Sequence, residues 1–582
     1  MKLNIQILYK IALWMSILGV LALVSDLGFA QSDVVQQSLR VFYFTVLGLG
    51  VVSTATRYIE KLKTFRGKVF IFDALSICFT LWIFFNYFFI GEPFKTDLLL
   101  ENPIWVKIAL VFTAIRELSE VNFNYKNTSL NPAQLFVLSF VVIIFIGTLL
   151  LLLPNATNGG LSFIDALFTT TSAVCVTGLI VVDTGTYFTQ FGHVIIAILI
   201  QIGGLGILTF ASYFSYFFKG GSTYDNQLMM NDLGTSNKLG EVFSTLKNVL
   251  LITFGIEFFS AILIYTSINS QDFTSQYNQI FFAIFHAISA FCNAGFSTLT
   301  NSLYEAEFKF NYYLQLIIIF TFVLGGLGFP IVVNIINFFN YRIRKLLRLG
   351  KGRVPYKPWI LKLNSRLTLI TTATITVSAF IIFYILEYNN TLAEHGSFGK
   401  IVTALFGACT PRTAGFNTID TSALLFPTTM MVFLLMWIGA SPASTGGGIK
   451  TSTFLIACLN FVTLAKGKTK IEIFRREIAD ISVRRAFATI SLSLMIIGIG
   501  IMLISVFESK LPLIEIGFEC FSAYSTVGLS LGITAKLSDY SRLVIIVIMF
   551  VGRVSMLTVL IAVFKKAKHI NYKYPVEEIT IN

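Results

Sequence analysis

The chain has 582 residues, of which 55% are hydrophobic and only 13% are charged, and its mean hydropathy is +0.77. Because soluble domains carry roughly 25% charged residues, this composition excludes a water-soluble protein and leaves no room for a sizeable soluble domain. The formal net charge of +13 would suit a nucleic-acid partner, but the basic residues lie in short loops between apolar stretches. No polar segment is long enough to form a phosphate-binding face, so we expect a protein that resides in the lipid bilayer and binds no nucleic acid.

The first 127 residues contain several apolar runs. They are 11–27, 41–55, 69–90 and a weaker run, 104–115. The basic loop 57–68 should stay in the cytoplasm, and the next span also starts there, so run 104–115 must cross the membrane for the count of crossings to agree. A surface-lying amphipathic helix is the alternative for this run, which is short and carries Lys107 and Arg116. Residues 1–127 are therefore predicted to form about four extra transmembrane helices.

The distribution of Lys and Arg predicts the orientation of the remaining chain. Basic residues cluster at 57–68, 342–366, 466–485 and 565–573, whereas 127–218 has no Lys or Arg and 266–316 has only Lys309. Positively charged loops beside membrane spans are retained on the cytoplasmic side. We therefore expect a multi-pass protein of the plasma (inner) membrane with both termini in the cytoplasm, ending in a cytoplasmic tail at 569–582.

One short glycine motif recurs four times. The four copies are Val176-Thr177-Gly178-Leu179, Asn293-Ala294-Gly295-Phe296, Thr413-Ala414-Gly415-Phe416 and Thr526-Val527-Gly528-Leu529. Their glycines are 117, 120 and 113 residues apart. Each motif follows an apolar span and a shorter apolar segment, and another span comes after it, such as 543–564. The sequence thus predicts four pore units at 128–219, 238–345, 360–465 and 484–568, called units 1 to 4 below.

The shorter segments, such as 163–173 and 280–291, are too brief to cross about 30 Å of hydrocarbon. Non-helical backbone at membrane depth is tolerated only where it is buried in protein or lines a water-filled cavity. We therefore predict an all-α integral membrane protein in which four pseudo-repeats of helix, re-entrant half-helix, filter loop and helix surround one pore.

The four glycine loops are suited to binding a dehydrated cation. Backbone carbonyls in a narrow loop supply several oxygens to K⁺ without any formal charge, and glycine permits the backbone angles that turn carbonyls toward an axis. A single glycine between apolar residues is more often a helix contact, but four at near-constant spacing are a strong signal. All sixteen residues of the four motifs are predicted to form a K⁺ selectivity filter, and we expect metal binding at this filter only.

These motifs resemble those of the Trk/Ktr/HKT superfamily of potassium transporters, and specifically its TrkH/KtrB-like membrane subunits, over residues 129–568. In that superfamily each repeat contributes one filter glycine, and the matching positions here are Gly178, Gly295, Gly415 and Gly528. A serine at the first position marks Na⁺-permeable plant members. The resemblance therefore implies a potassium-selective subunit for K⁺ uptake, with Gly178 favouring K⁺ over Na⁺.

The second helix of unit 3 carries a proline followed by three consecutive glycines, a pattern that cannot continue a regular helix. In the resembled superfamily the corresponding segment is an intramembrane gating loop, and an arginine of the last helix lies near it. Lys450 could instead extend to the cytoplasmic interface. The residues assigned to the gate are Ala440, Ser441, Pro442, Ala443, Ser444, Thr445, Gly446, Gly447 and Gly448, together with Lys450 and Arg553.

The resemblance also implies partners. Two chains would form a homodimer, and a cytoplasmic ring of TrkA/KtrA-like nucleotide-binding regulatory subunits would dock on the basic inner face. The chain has no glycine-rich motif after a strand with which to bind a nucleotide. We therefore expect no cofactor bound by this chain, and NAD or ATP only through the regulatory subunit.

Three alternatives remain at this point. A secondary transporter coupled to Na⁺ or H⁺ would use broken helices, although its repeats would usually number two. An intramembrane hydrolase would use Ser441 or Ser444 with a nearby histidine, but no histidine lies in a suitable apolar run, so we expect no enzyme. A receptor or scaffold would use the N-terminal helices, and ion flux in liposomes separates all three.

Overall fold

The computed structural model describes residues 2–60, 67–87, 104–119, 132–206, 242–269, 273, 275–347 and 360–564. Helices dominate these ranges. Their only β-strands are Glu472–Ile473 and Arg476–Glu477, which pair antiparallel as a small hairpin within the basic segment 466–485. The predicted tail 569–582, the basic segment 565–573 and the end of the predicted run 69–90 lie outside the described residues.

Four helices precede the repeats. They are α1 (Lys2–Gly28), α2 (Asp33–Glu60), α3 (Gly67–Phe85) and α4 (Ile104–Ser119). The shortest of them, α4, packs against all of the other three. Its residues Ala109, Leu110 and Thr113 are fully buried, so one face of α4 belongs to the core of this bundle.

Two polar networks give the direction of α4. At its beginning, Lys107 Nζ lies 2.8 Å from Asp26 Oδ2 at the end of α1. At its end, Glu117 forms an ion pair with Arg57 near the end of α2 and accepts a hydrogen bond of 3.2 Å from Ser53. α4 therefore runs antiparallel to α1 and parallel to α2, which agrees with the crossing that the charge pattern requires.

The four units follow the predicted order of helix, short helix, glycine loop and helix. Unit 1 contains α5 (Pro132–Leu151), α6 (Phe163–Val174), the single turn α7 (Thr184–Tyr187) and α8 (Gln190–Leu205). Unit 2 contains α9 (Val242–Ser267), α10 (Gln276–Cys292), α11 (Tyr312–Leu327) and α12 (Phe329–Leu346). Unit 3 contains α13 (Leu363–Glu387), α14 (Ser397–Cys409), α15 (Phe426–Trp437) and α16 (Thr451–Ala465). Unit 4 contains α17 (Asp480–Phe507), α18 (Leu513–Ser525), α19 (Asp539–Val554) and α20 (Met556–Val563).

Length separates two kinds of helix in each unit. In the described ranges, six helices are long and apolar enough to cross a membrane: α1, α2, and the first helix of every unit. The short helices α6, α10, α14 and α18 have 12 to 17 residues, fewer than the roughly 20 that a crossing helix needs. Their C-terminal ends lead directly into the four glycine loops.

The second helices differ from the prediction, which placed a break in unit 3 and a continuous span at 543–564. That span is divided between α19 and α20 at Ser555, whose φ is +72°. In unit 2 the axes of α11 and α12 differ by 107° across Gly328, whose φ is +85°. In unit 1, α8 ends at Gly206 with φ +71°. A left-handed residue cannot continue a right-handed helix, so the second helices of units 2 and 4 break at these residues, and α8 of unit 1 ends at Gly206, where the described residues of that unit stop. Among the described residues, unit 3 has the longest break, from Ile438 to Lys450.

Polar contacts in loops and at the beginnings of helices join each unit to the next and close the four into a ring. These contacts, in order around the ring, are Gln190 Nε2 to Asn278 Oδ1 at 3.4 Å, the Lys309 to Glu394 ion pair, Thr421 Oγ1 to Ser530 O at 2.5 Å and Arg542 Nη1 to Asp165 Oδ1 at 2.9 Å. The last pair joins unit 4 back to unit 1. The Lys309 ammonium also holds the pKa of the Glu394 carboxyl below its usual value.

Candidate ion pathway

The four glycine loops share one backbone conformation. Each glycine, and the residue two positions before it, has a positive φ. These φ values are +57° and +88° at Val176 and Gly178, +61° and +68° at Asn293 and Gly295, +73° and +79° at Thr413 and Gly415, and +51° and +92° at Thr526 and Gly528. Positive φ is costly for residues with a Cβ, so its recurrence at four sites requires a surrounding structure that holds the loops.

The glycines approach one another around a single axis. A methyl group added to any of them would fall against the carbonyl oxygen of the residue that precedes the glycine of the next unit. The distance from this added carbon to the carbonyl oxygen would be 2.3 Å between Gly178 and Ala294 O, and 3.0 Å between Gly295 and Ala414 O. It would be 2.2 Å between Gly415 and Val527 O, and 2.3 Å between Gly528 and Thr177 O. The circuit closes on itself, so four backbone carbonyls and four glycines form one ring without a charged side chain.

Hydroxyl groups at the ends of the short helices hold these loops. Ser172 Oγ accepts from Gly178 N, and Ser522 Oγ accepts from Gly528 N, both at 3.1 Å. In unit 2, Ser289 Oγ donates to Phe296 O at 2.7 Å. We did not predict these serines, although the sequence marks them: each begins a Ser-Ala pair six residues before its glycine. In unit 3, Thr410 Oγ1 donates to Phe416 O at 2.5 Å instead.

A second set of glycines brings the second helices against the short helices. A Cβ at Gly203, Gly325 or Gly552 would lie 1.9 to 2.1 Å from a backbone carbonyl oxygen. The three carbonyls belong to Val174, Phe291 and Tyr524, each four residues before a ring glycine. This contact explains the glycine at these three positions, because only glycine allows the backbones to approach so closely.

The predicted gate residues form a loop that touches the glycine loops of units 3 and 4 and the end of α10 in unit 2. Gly447 N donates to Thr526 Oγ1 at 2.9 Å, and Thr445 Oγ1 donates to Phe291 O at 3.2 Å. A Cβ at Gly446 would lie 2.1 Å from Thr413 Oγ1. The loop is therefore in direct contact with the side chains that begin the filter motifs of units 3 and 4.

Unit 2 holds the other side of the same loop. Ser441 N donates to Gly326 O at 3.0 Å, and Phe329 N donates to Ala443 O at 3.2 Å. Ala443 itself has a φ of +55°. The loop therefore binds at the break between α11 and α12. Movement of α12 would act directly on the loop backbone.

Both predicted basic residues reach the loop. Arg553 donates to the carbonyl of Thr445 and to the carbonyl of Gly203 in α8, so one guanidinium ties the loop to unit 1. Lys450 Nζ donates to Gly446 O at 2.6 Å. Of the two orientations considered for Lys450, the side chain therefore takes the one directed to the loop.

Other titratable residues are used structurally. His286 is a buried packing residue of α10, whose ring bonds Phe282 O at 2.9 Å and Ser297 Oγ at 2.8 Å. Glu519 accepts from Thr534, and Ser444 Oγ donates to Ser441 O at 2.6 Å. Among the described residues, His193 and His395 also have partners far from Ser441, and His569 lies outside the described residues. Among the described residues, therefore, neither Ser441 nor Ser444 has a histidine as a hydrogen-bond partner.

Comparisons with known proteins agree with this architecture. A family model described as TrkH, a cation transport protein, matches residues 103–572. Ktr system potassium uptake protein B of Bacillus subtilis is 36% identical over 450 residues, which are 77% of this chain and 96% of that protein. Potassium/sodium uptake protein NtpJ of Enterococcus hirae is 35% identical over 463 residues, which are 78% of this chain and 97% of that protein.

One solved structure gives a further comparison. The potassium transporter TrkH from Vibrio parahaemolyticus has a TM-score of 0.59 with this chain at 18% identity, covering 86% of this chain and 97% of that one. At this identity the likeness concerns the fold alone. The predicted all-α membrane fold with four pseudo-repeats is confirmed.

Replacing Gly552 with alanine should destabilise the ring, because the new methyl would collide with Tyr524 O in α18. Overpacking of this kind costs about 1 to 3 kcal/mol. The matched control is Gly498→Ala on α17, where a Cβ would meet open space and the change should be neutral or slightly stabilising. Apparent melting temperatures of the two purified variants check this, and equal values for both would contradict the packing described.

Proposed function

The chain belongs to the TrkH family of cation transport proteins, and from that premise we propose that it is the K⁺-selective conducting subunit of a potassium uptake system. The observation that carries the proposal is the ring in which each glycine meets the carbonyl of the next unit. The names of the relatives, potassium uptake protein B and potassium/sodium uptake protein, support the same ion.

The physical basis of selectivity would be the replacement of water by carbonyl oxygens. Thr177, Ala294, Ala414 and Val527 supply those oxygens, and the C-terminal ends of the four short helices add partial negative charge beside them. No formal charge is needed, so the ion binds without being trapped. Gly178 supports K⁺ over Na⁺, since serine in this position is the mark of Na⁺-permeable members of the superfamily.

The gate of this pathway would be the loop Ala440 to Gly448. Its support comes from its contacts with the filter motifs and from the two carbonyls held by Arg553. An arginine at this position closes the loop in two ways, because it bonds the loop backbone and because its charge repels K⁺.

Assembly and location follow as parts of the same proposal. Two copies of the chain would form a homodimer in the plasma membrane, with both termini in the cytoplasm. A ring of nucleotide-binding regulatory subunits would dock on the inner face, and NAD or ATP would act through that ring. The support is the word "system" in the relatives' names and the basic character of the loops 342–366 and 466–485.

A transporter that couples K⁺ to Na⁺ or H⁺ is the alternative function. It differs in one measurable respect: an imposed Na⁺ or H⁺ gradient would drive K⁺ uphill across a liposome membrane. Under our proposal, flux in that assay follows the K⁺ gradient alone.

Replacing Gly178 with serine should reduce selectivity for K⁺ over Na⁺, since the glycine has φ +88° and no room for a side chain beside Ala294 O. Gly415→Asp should act similarly and add a charge to the ring. Gly396→Ser is the control, because that glycine has ordinary φ and open space around it. Uptake of K⁺ and Na⁺ by transport-deficient cells measures the effect, and wild-type selectivity in both filter variants would refute the filter.

Replacing Arg553 with glutamine should raise basal flux, because the loop loses the charge that holds Thr445 O. Hydrogen bonds from charged donors contribute about 1.5 to 3 kcal/mol, which corresponds to at least a tenfold shift toward an open loop. Deleting residues 443–448 should also raise flux. The measurement is Rb⁺ uptake into liposomes containing the purified chain; a folded Arg553 variant with unchanged or lower flux would count against the gate.

A further inference from the structure

Glu257 lies in the middle of α9, one of the helices long enough to span the membrane. It is 6% exposed, and with Thr253 and Ser260 it forms a buried polar stripe, while Phe254, Phe258 and Phe259 face outward on the same helix. A carboxyl group at this depth is expensive to bury and usually marks a functional position. Nothing in the proposed filter or gate uses it.

The partners of Glu257 are neutral. Gln201 Nε2 of α8 donates to both carboxyl oxygens, at 3.0 and 3.2 Å, and Cys292 Sγ lies 3.9 Å from Oε1. Among the described residues, no Lys, Arg or His side chain forms an ion pair with it. Because an unpaired charge in low dielectric is costly whereas a neutral acid is tolerated, this environment favours the protonated form.

Two neighbours of Glu257, Gln201 and Cys292, connect this site to the guanidinium that holds the gate. Gln201 is two residues before Gly203, whose carbonyl accepts from Arg553. Cys292, at the end of α10, interacts electrostatically with both Glu257 and Arg553. The carboxyl group and the guanidinium therefore both act on one thiol, that of Cys292.

The other titratable groups that face Glu257 are few and uncharged or distant. The helices packed against α9 contribute His286 and Cys292 from α10, and Tyr312 and Tyr313 from the outer end of α11; α8 contributes His193. Both histidines bond backbone carbonyls. None of these groups competes with Arg553 for a carboxylate at this position.

We propose that Glu257 is a proton sensor for the gate. With its proton, it bonds Gln201 and leaves Arg553 on Thr445. When the proton passes to water on the cytoplasmic side, the carboxylate left behind attracts Arg553, whose bond to the Thr445 carbonyl breaks, and the loop is released. Alkaline pH then opens the pathway, and the inference rests on the gate proposed above.

The test is Rb⁺ flux through the full-length chain in liposomes, with equal pH on both sides, from about pH 5.5 to about pH 8.5. Wild-type flux should rise with pH by up to tenfold per unit, the limit for one titrating proton. Glu257→Gln, which copies the protonated group, should hold flux at the acid level throughout. Glu519→Gln, another buried carboxyl in α18, is the control and should keep the rise.

A second variant covers the case in which Glu257→Gln does not fold. Gln201→Leu removes the donor that stabilises the carboxylate, so the midpoint of the flux curve should move to higher pH, a shift that a merely structural role would not produce. A pH-independent wild type, a wild-type curve in Glu257→Gln or an unmoved midpoint in Gln201→Leu would overturn the inference. If Arg553→Gln raises flux but the pH results are not as expected, only the assignment of Glu257 as a proton sensor is wrong. If Arg553→Gln leaves flux unchanged, the assignment of the gate is wrong.

Discussion

The close approach of each ring glycine to the carbonyl of the next unit is the constraint on which the rest of the structure depends. A Cβ at any of the four positions would fall 2.2 to 3.0 Å from a backbone oxygen, so the ring exists only if all four units hold their loops within a few tenths of an ångström. The serine and threonine hydroxyls, the second set of glycines and the polar contacts between units all serve this requirement. A repeated unit meets this requirement four times with the same structure, because each loop packs against the loop of the next unit.

Symmetry at the ring contrasts with asymmetry beneath it. The second helices of units 2 and 4 break at the single residues Gly328 and Ser555, whereas that of unit 3 has a thirteen-residue interruption, from Ile438 to Lys450. This loop bonds unit 2 at Gly326, unit 4 at Thr526 and, through Arg553, is tied to unit 1 at Gly203. The proposed gate is thus connected to every unit, which explains why one local change could alter the whole pathway.

The sequence predicted the features that a single residue type must supply. The ring glycines, the short helices and the proline and glycines of unit 3 could all be predicted. Glycine permits a positive φ, the short apolar segments are too brief to cross the bilayer, and proline cannot continue a regular helix. The break at Ser555 could not be predicted, since a serine in a sequence does not indicate a positive φ. Glu257 was also missed: its meaning comes from Gln201 and Cys292, which are distant in sequence and are brought together only by packing. The pairing of Arg57 with Glu117 was hidden for the same reason.

The most direct test of the central claim is to locate the ion. A structure of the protein determined with Tl⁺ or Rb⁺ in place of K⁺, compared with one in Na⁺, would show where a dehydrated cation binds. Our account predicts Tl⁺ or Rb⁺ density on the axis of the ring, in contact with the carbonyls of Thr177, Ala294, Ala414 and Val527, and weaker density there in Na⁺. An empty ring, with the ion bound elsewhere in the chain, would contradict it.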